Sequence, residues 1–102
     1  MQILLTNEKI DAQTALEIGL VNQVVPKEKL MEAAMETAEK IAKLAPLAVK
    51  SIKQCVAQGF DMKLEDAMEL ENRLGMELYQ TEDYEEGRLA FREKRAPVFK
   101  GK

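Results

Sequence analysis

Apolar residues along this chain recur mostly at steps of three and four, and glycine, proline and polar caps cut that pattern into segments. Asp11 before "AQTALEI" and Gly19 after it read as the N-cap and the left-handed stop of a short helix. The next stretch, "LVNQVVP", is β-branched and closes at Pro26, so it is an extended connector or a short strand. From about residue 27 to 44, Leu30, Ala34, Thr37/Ala38, Ile41 and Leu44 fall on one face of a second helix. Pro46 ends it and opens the next at its first position. That helix is expected to bury Ala48, Val49, Ile52, Cys55 and Val56 before Gly59 stops it. Asp61 is the expected cap of a longer helix to about Tyr79, striped with Leu64, Ala67, Met68, Leu74 and Leu78. Thr81 caps the last helix, whose first turn holds Glu82, Asp83 and Glu85 and whose last turn holds Lys94 and Arg95, an order that suits the helix dipole. The pattern predicts an all-α fold of about five helices with one short extended segment, in a single domain over residues 1–102.

Composition narrows the chemistry. A chain of 102 residues, 46% hydrophobic and 32% charged, supports one modest core. With two Tyr, three Phe and no Trp, that core is aliphatic with methionine filler, and a stacking platform for nucleic-acid bases is not expected. The absence of histidine and the single cysteine exclude a His-based triad, a zinc site and an intrachain disulfide. No apolar run approaches the roughly 20 residues of a spanning helix, and residues 1–10 lack the features of a signal peptide. The expectation is a soluble, intracellular, cytoplasmic chain with no membrane partner. The net charge of −3 hides an asymmetry: residues 88–102 carry six cations against Glu93 alone, a net of +5, which leaves −8 for the remainder. The tail is therefore the candidate anion site.

Individual candidates are few. Glu82, Asp83, Glu85 and Glu86 form an acidic cluster without the ligand order of a calcium loop, and helix-start electrostatics accounts for it better than a metal or acid/base site. Glu71 falls in an apolar stripe between Ala67 and Leu74, where a catalytic acid, a structural hydrogen bond or a seam with another chain would each explain a carboxylate. Cys55, on an apolar helix face and without a base partner, reads as a small hydrophobe. The five glycines form no phosphate loop. Composition and spacing thus assign no catalytic residue and no metal ligand. Phe91 and Lys94, three apart, share a helix face, and a ring beside an ammonium can hold an adenine ring and a phosphate together. The alternative is Phe91 in the core and Lys94 as a solvated charge.

Three stretches in order, "LLTNEKIDAQTALEIGLVNQVVPKEKL", "IAKLAPLAVKSIK" and "TEDYEEGRLAFREKRAPVFKGK", resemble the C-terminal part of the crotonase superfamily, the enoyl-CoA hydratases and isomerases. The likeness runs from about Leu4 to Gly101, and the pattern E-G-x-x-A-F-x-E-K-R-x-P-x-F-x-G is complete from Glu86 to Gly101. The resemblance implies a C-terminal helical domain that covers the active site and packs subunits into trimers or hexamers. It implies an enoyl-CoA hydratase of fatty acid metabolism, a lyase adding water to 2,3-enoyl-CoA, with acyl-CoA as substrate and no cofactor of its own. It also implies that Phe91 and Lys94 approach the adenine and phosphate end of coenzyme A. The family's catalytic half, a spiral of ββα units with two polarising N–H groups and the acids that move protons, precedes this region, so the chain alone is expected to be inactive. Gly75 departs from the family pattern, which carries a large apolar residue there.

Other readings are an enoyl-CoA isomerase or another member of the same superfamily, a stand-alone helical oligomerisation module, and a nucleic-acid binder using the basic tail. The acidic remainder and the scarcity of aromatics oppose the last.

Overall fold

The computed structural model describes residues 1–102, apart from the side chain of Gln2. Six helices follow one another: α1 (Gln2–Thr6), α2 (Ala12–Glu17), α3 (Leu30–Ala42), α4 (Pro46–Gly59), α5 (Leu64–Leu78) and α6 (Glu82–Glu93). No strand occurs among the described residues, so the fold is all-α. The chain divides into two compact units, residues 1–36 and 37–102, with the division inside α3.

In the first unit, α1 is the helix that the sequence pattern did not pick out, because its five residues carry no side-chain cap. Asn7, left-handed at φ 53°, closes it by donating its N–H to the Ile3 carbonyl at 3.1 Å. Asp11 caps α2 as expected: its carboxylate accepts the Thr14 N–H at 2.7 Å, and that bond holds its pKa below the ordinary 3.8. Gly19, at φ +73°, closes α2 in a Schellman turn, with Leu20 N–H on the Ala15 carbonyl at 2.8 Å and Gly19 N–H on the Leu16 carbonyl at 3.1 Å. The β-branched stretch after it is a connector that leads into a 3-10 turn, Lys27–Lys29, and then α3.

In the second unit, α4 and α5 pack as a hairpin. Pro46 occupies the first turn of α4, where its missing N–H costs nothing. The helices approach closely at Gly59, where an added Cβ would lie 3.6 Å from that of Ala67. Leu70 and Leu74, each 5% exposed, carry the burial on α5. This shifts the expected stripe: Leu70, outside that stripe, is buried, whereas Leu64 and Met68 are exposed, as are Ile52 and Val56 of α4 at 62% and 68%. One helix of a hairpin covers only the strip facing its partner, and both helices carry apolar residues well beyond that strip. The uncovered positions border a groove of about 640 Å³. Asp61 is not the cap of α5 either. That position belongs to Lys63, with no side-chain bond, and the charge complement comes from Glu65 and Asp66 in the first turn.

Thr81 makes the corner between α5 and α6: its hydroxyl accepts the Tyr84 N–H at 3.1 Å and donates to the Leu78 carbonyl at 2.7 Å. Tyr79 and Tyr84 meet edge to face across this corner, 4.8 Å between centroids. Beyond α6 the tail runs back to the start of the same helix. Asp83, 4% exposed, accepts the N–H groups of Lys100 at 2.6 Å and Gly101 at 2.8 Å, one on each carboxylate oxygen. Its own N–H, unpaired within the helix, donates to the Lys102 carbonyl at 3.1 Å. One turn later, Glu86 accepts Arg95 Nη1 at 2.6 Å, Arg95 Nη2 at 2.9 Å and the Val98 N–H at 2.7 Å. Gly101, at φ +75°, lies where an added Cβ would be 3.5 Å from the Pro46 ring, so the tail also meets the start of α4.

Replacing Asp83 by alanine removes both acceptors for the tail's N–H groups. We expect a loss of about 1–3 kcal/mol, read as a fall of several degrees or more in Tm by circular dichroism. A Tm unchanged within a degree would contradict this account.

The bonds to Arg95, and then to Val98, lower the Glu86 pKa from the ordinary 4.5 to about 2. A depressed carboxylate stabilises the fold fully above its unfolded pKa, and the contribution fades as pH falls through the folded value. The stability gap between the wild-type chain and Glu86→Gln should therefore be constant near neutrality and close between about pH 4.5 and about pH 2. Melting curves across that range check it, and a gap that stays constant down to pH 2 would refute it.

Candidate functional site

Phe91 lies in the last turns of α6 and is 89% exposed, so the core reading of its ring does not hold in this chain. Ala90, its neighbour, takes the inward position at 1% exposed, and Phe91 is turned away from it by the 100° step of the helix. The Phe91 ring borders an apolar groove of about 420 Å³ with Ala45, Leu47, Tyr84, Gly87 and Phe99. Phe99 packs over Gly87, where an added Cβ would lie in ordinary contact with its ring at 3.7 Å. Phe99 reaches this position because the tail is tied down at Val98 and Lys100 on either side of it.

Lys94 is also exposed, but it lies one residue beyond the helix, which ends at Glu93. It is left-handed, φ 54° and ψ 39°, and its N–H meets the Phe91 carbonyl at 3.3 Å while Arg95 N–H meets that of Ala90 at 3.1 Å. This is the same Schellman closure that Gly19 makes after α2, here with a lysine at the position that favours glycine, at a cost of about 1–2 kcal/mol. The expectation that Lys94 and Arg95 occupy the last helical turn is corrected accordingly: Arg92 is the basic residue there.

The basic tail is not one anion site. Arg95 is held by Glu86 and by Glu93, at 2.7 Å from Nε, which raises its already high pKa further. Arg88 pairs with Glu85 at 3.1 Å and lies 5.7 Å from the Tyr84 ring centre, and Lys102 pairs with Glu82 at 3.4 Å. Among the described residues, Arg92, Lys94 and Lys100 make no ion pair. The acidic cluster consequently does more than face the helix dipole. Two of its members, Asp83 and Glu86, hold the tail, and the other two neutralise tail or helix cations.

Glu71 is exposed at the edge of the α4–α5 groove, alongside half-buried Cys55 and Gly75, so it is not a buried carboxylate in this chain. Gly75 faces open space, with nothing within 4 Å of an added Cβ. The residues that sequence reasoning missed are Asp83, Glu86 and Arg95 as a tail clamp. The only signal for it was the one-turn spacing of Asp83 and Glu86 ahead of a short tail that holds Pro97 and Gly101.

Comparison with known proteins gives one answer at the level of sequence and of fold. All of residues 1–102 match the family described as Enoyl-CoA hydratase/isomerase. The chain is 46% identical over 101 residues to the (E)-benzylidenesuccinyl-CoA hydratase of Thauera aromatica, covering 99% of this chain and 40% of that protein. It is 39% identical over 101 residues to the 2,3-dehydroadipyl-CoA hydratase of Escherichia coli, with the same coverage. Among solved structures, an enoyl-CoA hydratase from Bacillus anthracis superposes with a TM-score of 0.93 at 39% identity, over 99% of this chain and 40% of that one. The chain thus spans about two fifths of the length of these relatives. With the match running through every helix and through the clamped tail, the chain belongs to the enoyl-CoA hydratase/isomerase family.

Proposed function

We propose that residues 1–102 are the C-terminal helical domain of an enoyl-CoA hydratase, a lyase that adds water across the double bond of a 2,3-enoyl-CoA thioester. The observation that carries this reading is the match of nearly the whole chain to two fifths of relatives whose names are those of hydratases. Hydratase is preferred to isomerase on those names. In this reading the acyl-CoA is substrate, no further cofactor is needed, and the protein works in the cytoplasm on short-chain or related acyl groups of fatty acid metabolism.

Within that domain, Phe91 and Lys94 meet the adenine and phosphate end of coenzyme A. Support comes from the exposed ring, the adjoining apolar groove and the unpaired ammonium at the end of α6. A ring face and a cation together suit a phosphorylated nucleotide. The chemistry itself needs more. Conjugate addition requires donors aimed at the thioester oxygen as it becomes enolate-like and a carboxylate that activates water. Here Asp83 and Glu86 are committed to the tail and Glu71 has no partner beside it, so the described residues supply no such set.

The purified 102-residue chain is therefore expected not to hydrate crotonyl-CoA, followed as loss of the conjugated enoyl absorbance against buffer. A saturable turnover that disappears in Glu71→Gln or Glu86→Gln would overturn the proposal. The exposed apolar faces of α4 and α5 also fit a domain that packs against copies of itself, as in a trimer or hexamer. Sedimentation is expected to show a dimer or larger species, and a sharply melting monomer at high concentration would count against this part of the proposal.

A further inference from the structure

Two helices of this chain close with the same backbone turn, but one uses Gly19 and the other Lys94. A lysine is a costly choice for a left-handed residue, and such a residue persists where the surrounding structure over-determines it. The residues after Lys94 are anchored. Arg95 is bound through both Nη atoms to Glu86, two turns back on α6, and through Nε to Glu93, the last helical residue. Glu86 also takes the Val98 N–H, so a single carboxylate fixes the chain on the C-terminal side of Lys94 at two points. On the N-terminal side, Lys94 continues directly from α6.

We propose that Glu86 is a positioning residue: by anchoring Arg95 and Val98 it holds Lys94 in its left-handed conformation and sets the direction in which the ammonium leaves the end of α6. This deepens, and rests on, the reading of Phe91 and Lys94 as contacts for the adenine and phosphate end of the coenzyme. A cation held in one direction gives up less freedom on meeting a phosphate than one on a loose chain end. Lys100, whose charge acts on Glu86, and Glu93, which shares Arg95, are the other charged groups around the anchor. Neither replaces its two-point hold.

The test uses the isotopically labelled 102-residue chain with two probes, adenosine 3′,5′-bisphosphate and adenosine. The HN–Hα coupling and Cα shift of Lys94 report its φ, and amide shifts report binding. In Glu86→Gln and Arg95→Ala, Lys94 is expected to lose its left-handed signature. The bisphosphate should bind about three- to tenfold more weakly, the scale of one weakened charged contact, while adenosine binding is unchanged. Lys94→Gly should keep the turn, raise Tm and lose bisphosphate affinity at least as much. General loosening of the fold would weaken both probes alike and would count against the proposal. If Glu86→Gln disturbs the helical spectrum, Arg95→Ala, altered at an exposed side chain, decides. An unchanged Lys94 signature and bisphosphate affinity within twofold of wild type in that variant would overturn the proposal. Failure of the wild-type chain to bind either probe would instead overturn the coenzyme reading, with the Lys94 signature still judging the anchor.

Discussion

Asp83 accepts two successive backbone N–H groups of the tail and donates its own to a third tail residue, and the placement of residues 100–102 follows from that exchange. The first turn of any helix has N–H groups without intrahelical partners, and a segment outside regular elements, such as the one after α6, has backbone groups that no ladder satisfies. Here each deficit meets the other. Thr81 takes the Tyr84 N–H, the Lys102 carbonyl takes that of Asp83, and the Asp83 carboxylate takes those of Lys100 and Gly101. Because the Asp83 side chain is buried and would be left unpaired, losing its bonds costs more than losing exposed ones. Gly101 belongs to the same device. Its positive φ brings the chain past Pro46, in a conformation that a side chain would strain.

Once the tail is fixed, other features acquire a cause. Phe99 is pressed over Gly87 and walls the groove that Phe91 borders. Glu86 and Arg95 form a partly exposed, forked pair that is reinforced by a backbone N–H, a geometry stronger than the usual surface ion pair. The charge asymmetry seen in the sequence thus has an internal function, with the acids at the start of α6 drawing the cations and amides of the tail onto the helix. Among the described residues of α6 and the tail, the cations left without an ion pair are Arg92 and Lys94 at the end of α6 and Lys100 beside its first turn.

The hydrophobic residues tell a different story from the polar ones. Ala15, Leu70, Leu74 and Ala90 are the buried apolar residues among those described, while many larger ones are exposed. A helix stripe in sequence marks a surface that avoids water, and it does not say which neighbour covers it. The α4–α5 hairpin covers one strip of each helix and leaves Ile52, Val56, Leu64 and Met68 around an open groove. The individual helices are therefore carried to a large degree by local signals, and the start of α6 by the clamp. The faces left over suit packing against further protein.

The sequence by itself determined the helical class, most element boundaries, the helix ends at Asp11, Gly19 and Thr81 and the helix start at Pro46, because these depend on neighbours within about four residues and on the chemistry of single side chains. It also carried the family, through motifs spread along the whole chain. Only the tertiary structure decided that Leu70 and not Met68 is buried, that Phe91 faces water, that Lys94 is left-handed, and that Asp83 and Glu86 serve the tail. The roles of Asp83 and Glu86 turn on partners 9 to 18 residues away, and the choice between Leu70 and Met68 turns on the neighbouring helix. The periodicity of a helix fixes which residues share a face, and the direction of that face is set by contacts the pattern does not encode.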